Sequence, residues 1–98
     1  MTDSEKTEYS PRLVSPPGDT LAETLEEIGM SHAELARRMG EPSSTINEIV
    51  RGKAAILPET ASRLQNVLGV PAGFWLARET RYRESLQLLR LSASARRN

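Results

Sequence analysis

Apolar positions recur along this chain at intervals of three and four residues, in five separate runs: Leu21, Leu25 and Ile28; Leu35, Ala36 and Met39; Ile46, Ile49 and Val50; Ala61, Leu64 and Leu68; and Trp75, Tyr82, Leu86 and Leu89. That spacing gathers side chains on one side of an α-helix. The runs are separated by helix punctuation: Pro16-Pro17-Gly18 before the first, Gly29 after it, Gly40 and Pro42 between the second and third, Pro58 opening the fourth, and Gly69 and Pro71 before the fifth. No segment alternates apolar and polar residues with a period of two, and no repeat or low-complexity tract interrupts the pattern. The pattern predicts an all-α domain of five helices, the last extending from about residue 74 to about residue 91.

The second and third runs form a tighter unit. Ser31 and Glu34 have the spacing of a capping box, in which the hydroxyl and the carboxylate each satisfy an amide of the first turn. Leu35, Ala36 and Met39 make the buried stripe of this helix. Gly40 follows where the chain turns sharply, a place for the left-handed backbone that glycine adopts without a Cβ clash. Ser43 or Ser44 is positioned to cap the next helix, whose Ile46, Ile49 and Val50 point inward. Its outward face is left with Ser44, Thr45, Asn47, Glu48 and Arg51, groups short enough to reach base edges and phosphates. The layout is that of a helix-turn-helix, although a helical hairpin within an ordinary bundle shares its punctuation.

The chain of 98 residues has room for one domain with terminal extensions: a flexible arm over residues 1–16, a domain over 17–91 and a flexible tail over 92–98. Thirteen Lys and Arg balance thirteen Asp and Glu, so there is no net basic charge to hold nucleic acid. The distribution is uneven, with Asp19, Glu23, Glu26 and Glu27 ahead of the first turn and Arg37, Arg38, Arg51 and Lys53 around the helix-turn-helix. The absence of cysteine removes disulfides, thiol catalysis and the usual zinc sites. With one histidine, no clustered acid pair and no phosphate-cradling glycine loop, the residues offer no catalytic centre, metal site or cofactor site. No apolar run reaches the roughly 20 residues of a membrane span, and the first twelve residues lack the apolar core of a signal peptide, so a soluble cytoplasmic protein is expected.

The order of these blocks resembles the Xre/Cro (lambda-repressor-like) family of five-helix DNA-binding domains with an extended C-terminal helix, and more closely its HigA-type antitoxins, the VapI-like group. The resemblance covers residues 15–89. It rests on Pro17-Gly18, Ser31-x-x-x-Leu35-Ala36, Ile46-Asn47-Glu48-Ile49 with Arg51-Gly52-Lys53, Thr60-Ala61-x-Arg63-Leu64, Leu68-Gly69 and Phe74-Trp75-Leu76. It implies a homodimer that represses its own promoter at a palindromic operator and neutralises a HigB-type, RelE-like toxin that cleaves messenger RNA. A stand-alone Xre-type regulator and a protein-binding module without DNA affinity are the alternatives. The chain departs from the family at His32, where a phosphate-binding glutamine is frequent, at Leu57 before the fourth helix, and at Ala54 after the Gly-Lys pair. These departures imply fewer phosphate contacts.

On this reading the helix from Ser43 to Arg51 enters the major groove, with Ser43, Ser44, Thr45 and Asn47 near bases or phosphates. Arg51 and Lys53 reach the backbone, with a bidentate guanine contact as the alternative for Arg51. Arg37 and Arg38 flank the site, and Glu48 pairs with Arg51 or excludes wrong bases. His32 faces solvent near the start of its helix, with a phosphate contact as its alternative role. Phe74 is expected in the core. Trp75, Tyr82, Leu86 and Leu89 are expected to form the dimer seam, because an apolar edge of this length is otherwise exposed. The acidic side of the first helix, with Glu23, Glu26 and Glu27, and the N-terminal arm are candidate surfaces for a basic toxin.

Overall fold

The computed structural model describes residues 15–97, with side chains through Ser92. Five helices follow one another: α1 (Pro17–Ile28), α2 (His32–Met39), α3 (Ser43–Val50), α4 (Pro58–Leu68) and α5 (Ala72–Arg97). Each predicted helix is present. Of the arm expected over residues 1–16, residues 1–14 lie outside the described residues.

The interior is built from the stripes that the spacing marks out. Leu21 and Leu25 from α1, Leu35, Ala36 and Met39 from α2, Ile46 and Ile49 from α3, Ala61 and Leu64 from α4, and Trp75 from α5 are all buried, with Ile56 from the α3–α4 connection completing the cluster. α2 packs on α3 and α4, α1 on α3 and α5, and α4 on α5. Val50, Leu68 and Leu76 are partly buried against this core. Ile28, expected inside, is 53% exposed, because it falls on the last turn of α1 just before the chain reverses at Gly29.

The largest correction concerns the start of α5. The helix begins at Ala72, whose amide donates to Gln65 Oε1 at 2.7 Å, so α4 supplies a cap that local spacing does not show. This register turns Trp75 fully inward, at 0% exposure, and leaves Phe74 43% exposed against its edge, with ring centroids 5.3 Å apart and planes at 77°. The two assignments are therefore exchanged: Trp75 is core and has no surface to give to a dimer seam, while Phe74 is at the surface. The Trp75 indole Nε1–H has no acceptor among the described residues. That costs about 1–3 kcal/mol, which the burial of its large apolar surface offsets. At the other end, residues 92–97, expected as a tail, continue α5 to Arg97. At 26 residues, the helix is about 39 Å long.

Side chains also fasten segments that the sequence pattern leaves loose. Arg78 of α5 donates to the Ser15 and Pro16 carbonyls, the latter at 3.0 Å, and to Thr20 Oγ1, so the end of the expected arm is held on the domain. Glu79 accepts from the Ile56 amide at 3.1 Å and pairs with Arg83, tying the α3–α4 connection to α5.

At Gly18 one backbone lies directly against another. A Cβ at Gly18 would lie 2.0 Å from the Ile49 carbonyl oxygen and 2.6 Å from Val50 Cα, so α1 meets the end of α3 with no room for a side chain. Gly73, by contrast, is helical and has nothing within 4 Å of a built Cβ. Gly18→Ala is expected to destabilise the fold by about 3 kcal/mol, because neither backbone can yield as a flexible side chain would. Gly73→Ala should be neutral or stabilising by up to about 1 kcal/mol, since it lowers only the entropy of the unfolded chain. Urea unfolding of the two variants measures the contrast.

Candidate nucleic-acid interface

The turn between α2 and α3 is fixed at both ends. The Ser31 hydroxyl accepts from the Glu34 amide at 3.0 Å, as the capping box predicts. Its reciprocal half is not formed: Glu34 Oε2 takes Arg37 Nη2 and Arg38 Nε, each at 2.6 Å. Two guanidinium groups one turn away outbid a backbone amide, because charge-assisted hydrogen bonds are the stronger ones. Gly40 adopts φ 72° and ψ 32°, and Glu41 N–H closes the end of α2 on the Ala36 carbonyl at 2.9 Å. Arg63 of α4 then clamps the turn from below. It pairs with the Glu41 carboxylate, reaches the Met39 carbonyl, and is itself held by Glu59 at 2.8 Å.

α3 begins one residue earlier than a serine cap requires. Pro42 occupies the cap position with no side-chain hydrogen bond, so Ser43 and Ser44 are the first two helical residues and neither caps the helix. The Thr45 amide bonds the Pro42 carbonyl at 3.0 Å. At the far end Gly52, with φ 78°, allows the Lys53 and Ala54 amides to bond the Glu48 carbonyl. With Ile46 and Ile49 buried, α3 exposes Ser43, Ser44, Asn47, Glu48 and Arg51, and Thr45 is half-buried beside them. Lys53 is exposed just past the helix. One face therefore holds the hydroxyls, the carboxamide and the guanidinium that the sequence singles out.

His32 departs from its expected place facing solvent. Half-buried at the first position of α2, it has Nδ1 3.0 Å from Asn47 Oδ1, a side-chain bridge between the two helices of the motif. Glu48 does not pair with Arg51: the ion pairs among the described residues are Arg37–Glu34, Arg38–Glu34, Arg63–Glu41, Arg63–Glu59 and Arg83–Glu79. Glu48 and Arg51 both stand free on the exposed face. Sequence reasoning missed Gln65, Arg63, Arg78 and Glu79 as anchors, since each acts on a backbone group or charge outside its own helix. The only local hint was a polar residue bordering a buried stripe.

On α5, Tyr82 and Leu86 are half-buried and Leu89 is 50% exposed, while Leu88 and Leu91 are also exposed. Among the described residues, no His, Asp and Glu side chains group as a metal site, and no helix is long and apolar enough to cross a membrane.

The helix-turn-helix family model matches residues 21–75, from the core of α1 to Trp75. The chain belongs to the Xre-type helix-turn-helix family. This is a family of DNA-binding proteins and not of enzymes. Virulence-associated protein I of Dichelobacter nodosus is 40% identical over 67 residues, covering 67% of this chain and 62% of that protein. The chain spans less than two thirds of the length of the curated relatives it matches. Among solved structures, an addiction-module antidote protein of the HigA family from Coxiella burnetii superposes with a TM-score of 0.78 at 28% identity, covering 87% of this chain and 94% of that one. Pseudomonas aeruginosa antitoxin HigA, solved with the higBA promoter, gives a TM-score of 0.77 at 29% identity, covering 84% and 90%. The five-helix Xre/Cro-like architecture expected from the residues is thus that of HigA-family antitoxins.

The two arginines hold the Glu34 carboxyl down from 4.5 to about 2. A depressed carboxyl contributes stability above its unfolded value and loses it as pH falls through its folded value. The Glu34 contribution should therefore be complete above pH 4.5, shrink as pH falls below it, and be gone once pH has passed below about 2. An NMR titration of the Glu34 side-chain carbon is expected to show the low midpoint, and the Arg37→Ala/Arg38→Ala variant should return it toward 4.5.

Proposed function

We propose that this protein is a sequence-specific DNA-binding regulator of the HigA antitoxin type, a homodimer that represses its own operon and neutralises a HigB-like toxin that cleaves messenger RNA. The observation that carries this reading is the exposed polar face of α3, clamped to α2 at a turn of fixed geometry, in a fold shared with an antitoxin solved on promoter DNA. Asn47, Thr45 and Ser44 supply contacts to base edges or phosphates, and Ser43 lies at the helix N-terminus, where backbone amides favour a phosphate. Arg51 and Lys53 serve the DNA backbone. Arg38 keeps its terminal nitrogens for a flanking phosphate while Nε holds Glu34. The same Glu34 removes one of the two positive charges that Arg37 and Arg38 bring, consistent with a chain of zero net charge that binds DNA by fit more than by bulk attraction. Such a regulator works beside the chromosome, in the cytoplasm.

Dimerisation supplies the second reading head. With Trp75 in the core, the seam falls to Tyr82, Leu86 and Leu89, which follow one another at four and three residues along α5. A two-fold seam places the two α3 helices on successive turns of a palindromic operator, about 34 Å apart. The exposed Glu23, Glu26 and Glu27 of α1 are the surface offered to a basic toxin.

Fluorescence anisotropy on duplex DNA from the region upstream of its own gene, across a salt series, tests the DNA reading. Saturable preference over an unrelated duplex is expected, with Thr45→Ala/Asn47→Ala reducing the preference at least about tenfold. A folded dimer with no preference at low salt sinks autorepression and favours a protein-binding module. Analytical ultracentrifugation addresses the seam: Leu86→Glu/Leu89→Glu should convert a dimer to a folded monomer and weaken operator binding. Co-purification of a small basic RNA-cleaving protein separates an antitoxin from a stand-alone regulator.

A further inference from the structure

The hydrogen bond between His32 and Asn47 joins residues 15 apart in sequence and links the first turn of α2 to the exposed face of α3. It is the one side-chain hydrogen bond between these two helices among the described residues, and one of its ends is a group assigned to the DNA-facing surface. A carboxamide oxygen can only accept. With Oδ1 facing Nδ1 at 3.0 Å, this arrangement calls for a ring that donates from Nδ1. The bond removes the free rotation an exposed asparagine otherwise has. It turns Oδ1 toward α2 and leaves the two Nδ2 hydrogens for whatever lies outside.

We infer that His32 is a positioning residue for DNA reading: it orients the Asn47 carboxamide so that Asn47 approaches the major groove as a hydrogen-bond donor. This rests on the proposed operator-binding role. In the major groove, donors are matched by the N7 of a purine, the O6 of guanine and the O4 of thymine, whereas cytosine offers its amino group. Asn47 held in this way selects an acceptor at its base position and rejects a cytosine edge. The assignment differs from a phosphate contact by His32, which would add affinity on every sequence and carry no base preference. Glutamine at position 32 could serve the same purpose, since its amide N–H donates to Oδ1.

Two measurements test it. Anisotropy is read on the upstream duplex and on its single base-pair substitutions, for wild type, His32→Ala, His32→Gln, Asn47→Ala and the double variant His32→Ala/Asn47→Ala, each shown by circular dichroism to be folded. His32→Ala is expected to lose about tenfold of discrimination at the base pair where Asn47→Ala loses it, with the salt dependence unchanged. The double variant should lose little more than Asn47→Ala alone, and His32→Gln should restore the preference. Uniform weakening on all duplexes with a salt slope lower by about one marks a phosphate contact and overturns the inference while leaving operator binding intact. Additive losses in the double variant overturn it as well. A wild type with no preferred duplex overturns both this inference and the operator reading. Independently of DNA, the nitrogen shifts of the His32 ring should show Nδ1 protonated in wild type and altered in Asn47→Ala. A ring protonated only on Nε2 contradicts the orientation.

Discussion

The architecture depends on the contact in which Gly18 places the backbone of α1 directly against the last carbonyls of α3. Helices that pack through side chains usually stand 8–10 Å apart and tolerate small changes in either surface. Here the missing Cβ brings main chain to main chain, and the position of α3 follows from α1 without an adjustable side chain between them. The opposite end of α3 is set by the α2 turn, which Arg63 holds from α4 through Glu41 and the Met39 carbonyl. A helix of eight residues has little stability of its own, because most of its terminal amides and carbonyls have no partner within it. Its fixed orientation comes from neighbours at both ends.

A second theme is the use of single charged or polar side chains on backbone atoms. Arg78 collects the Ser15 and Pro16 carbonyls, Glu79 holds the Ile56 amide, and Gln65 caps the first turn of α5. These bonds satisfy groups that helix ends and connections would otherwise leave to water. They also make α5 the spine of the domain, since two of the three anchors stand on it and the third starts it.

The helices, their order and most of the core were legible because buried stripes repeat at three and four residues and are bounded by glycine and proline. Leu21, Leu25, Leu35, Ile46, Ala61 and Leu64 all fall inside as their spacing requires. The exposed polar face of α3 followed from the same count, as the complement of Ile46 and Ile49. What the pattern could not show was decided by contacts between distant segments. Phe74 and Trp75 are adjacent, large and aromatic, and only the register set by Gln65 determines which turns inward. The capping box was half right because two local arginines competed for Glu34. Pro42 took the cap position because the turn after Gly40 is one residue shorter than a serine cap needs. The His32 bridge to Asn47 was hidden for the same reason as the Arg63 clamp: both are meetings of residues far apart in sequence.

The exposed side chains of α3 carry little of the fold's weight. Ser43, Ser44, Glu48 and Arg51 form no side-chain hydrogen bond or ion pair to the rest of the described chain, while Ile46 and Ile49 beneath them bear the packing. Descendants of this sequence are therefore at liberty to exchange those four residues and acquire a new target without first acquiring a new scaffold. Asn47 is different, since its partner lies on another helix. Divergence at that position is a two-residue event, in which a change at 47 strands the imidazole and a change at 32 to any residue that cannot donate as glutamine can releases the amide, so lineages should cross it in pairs.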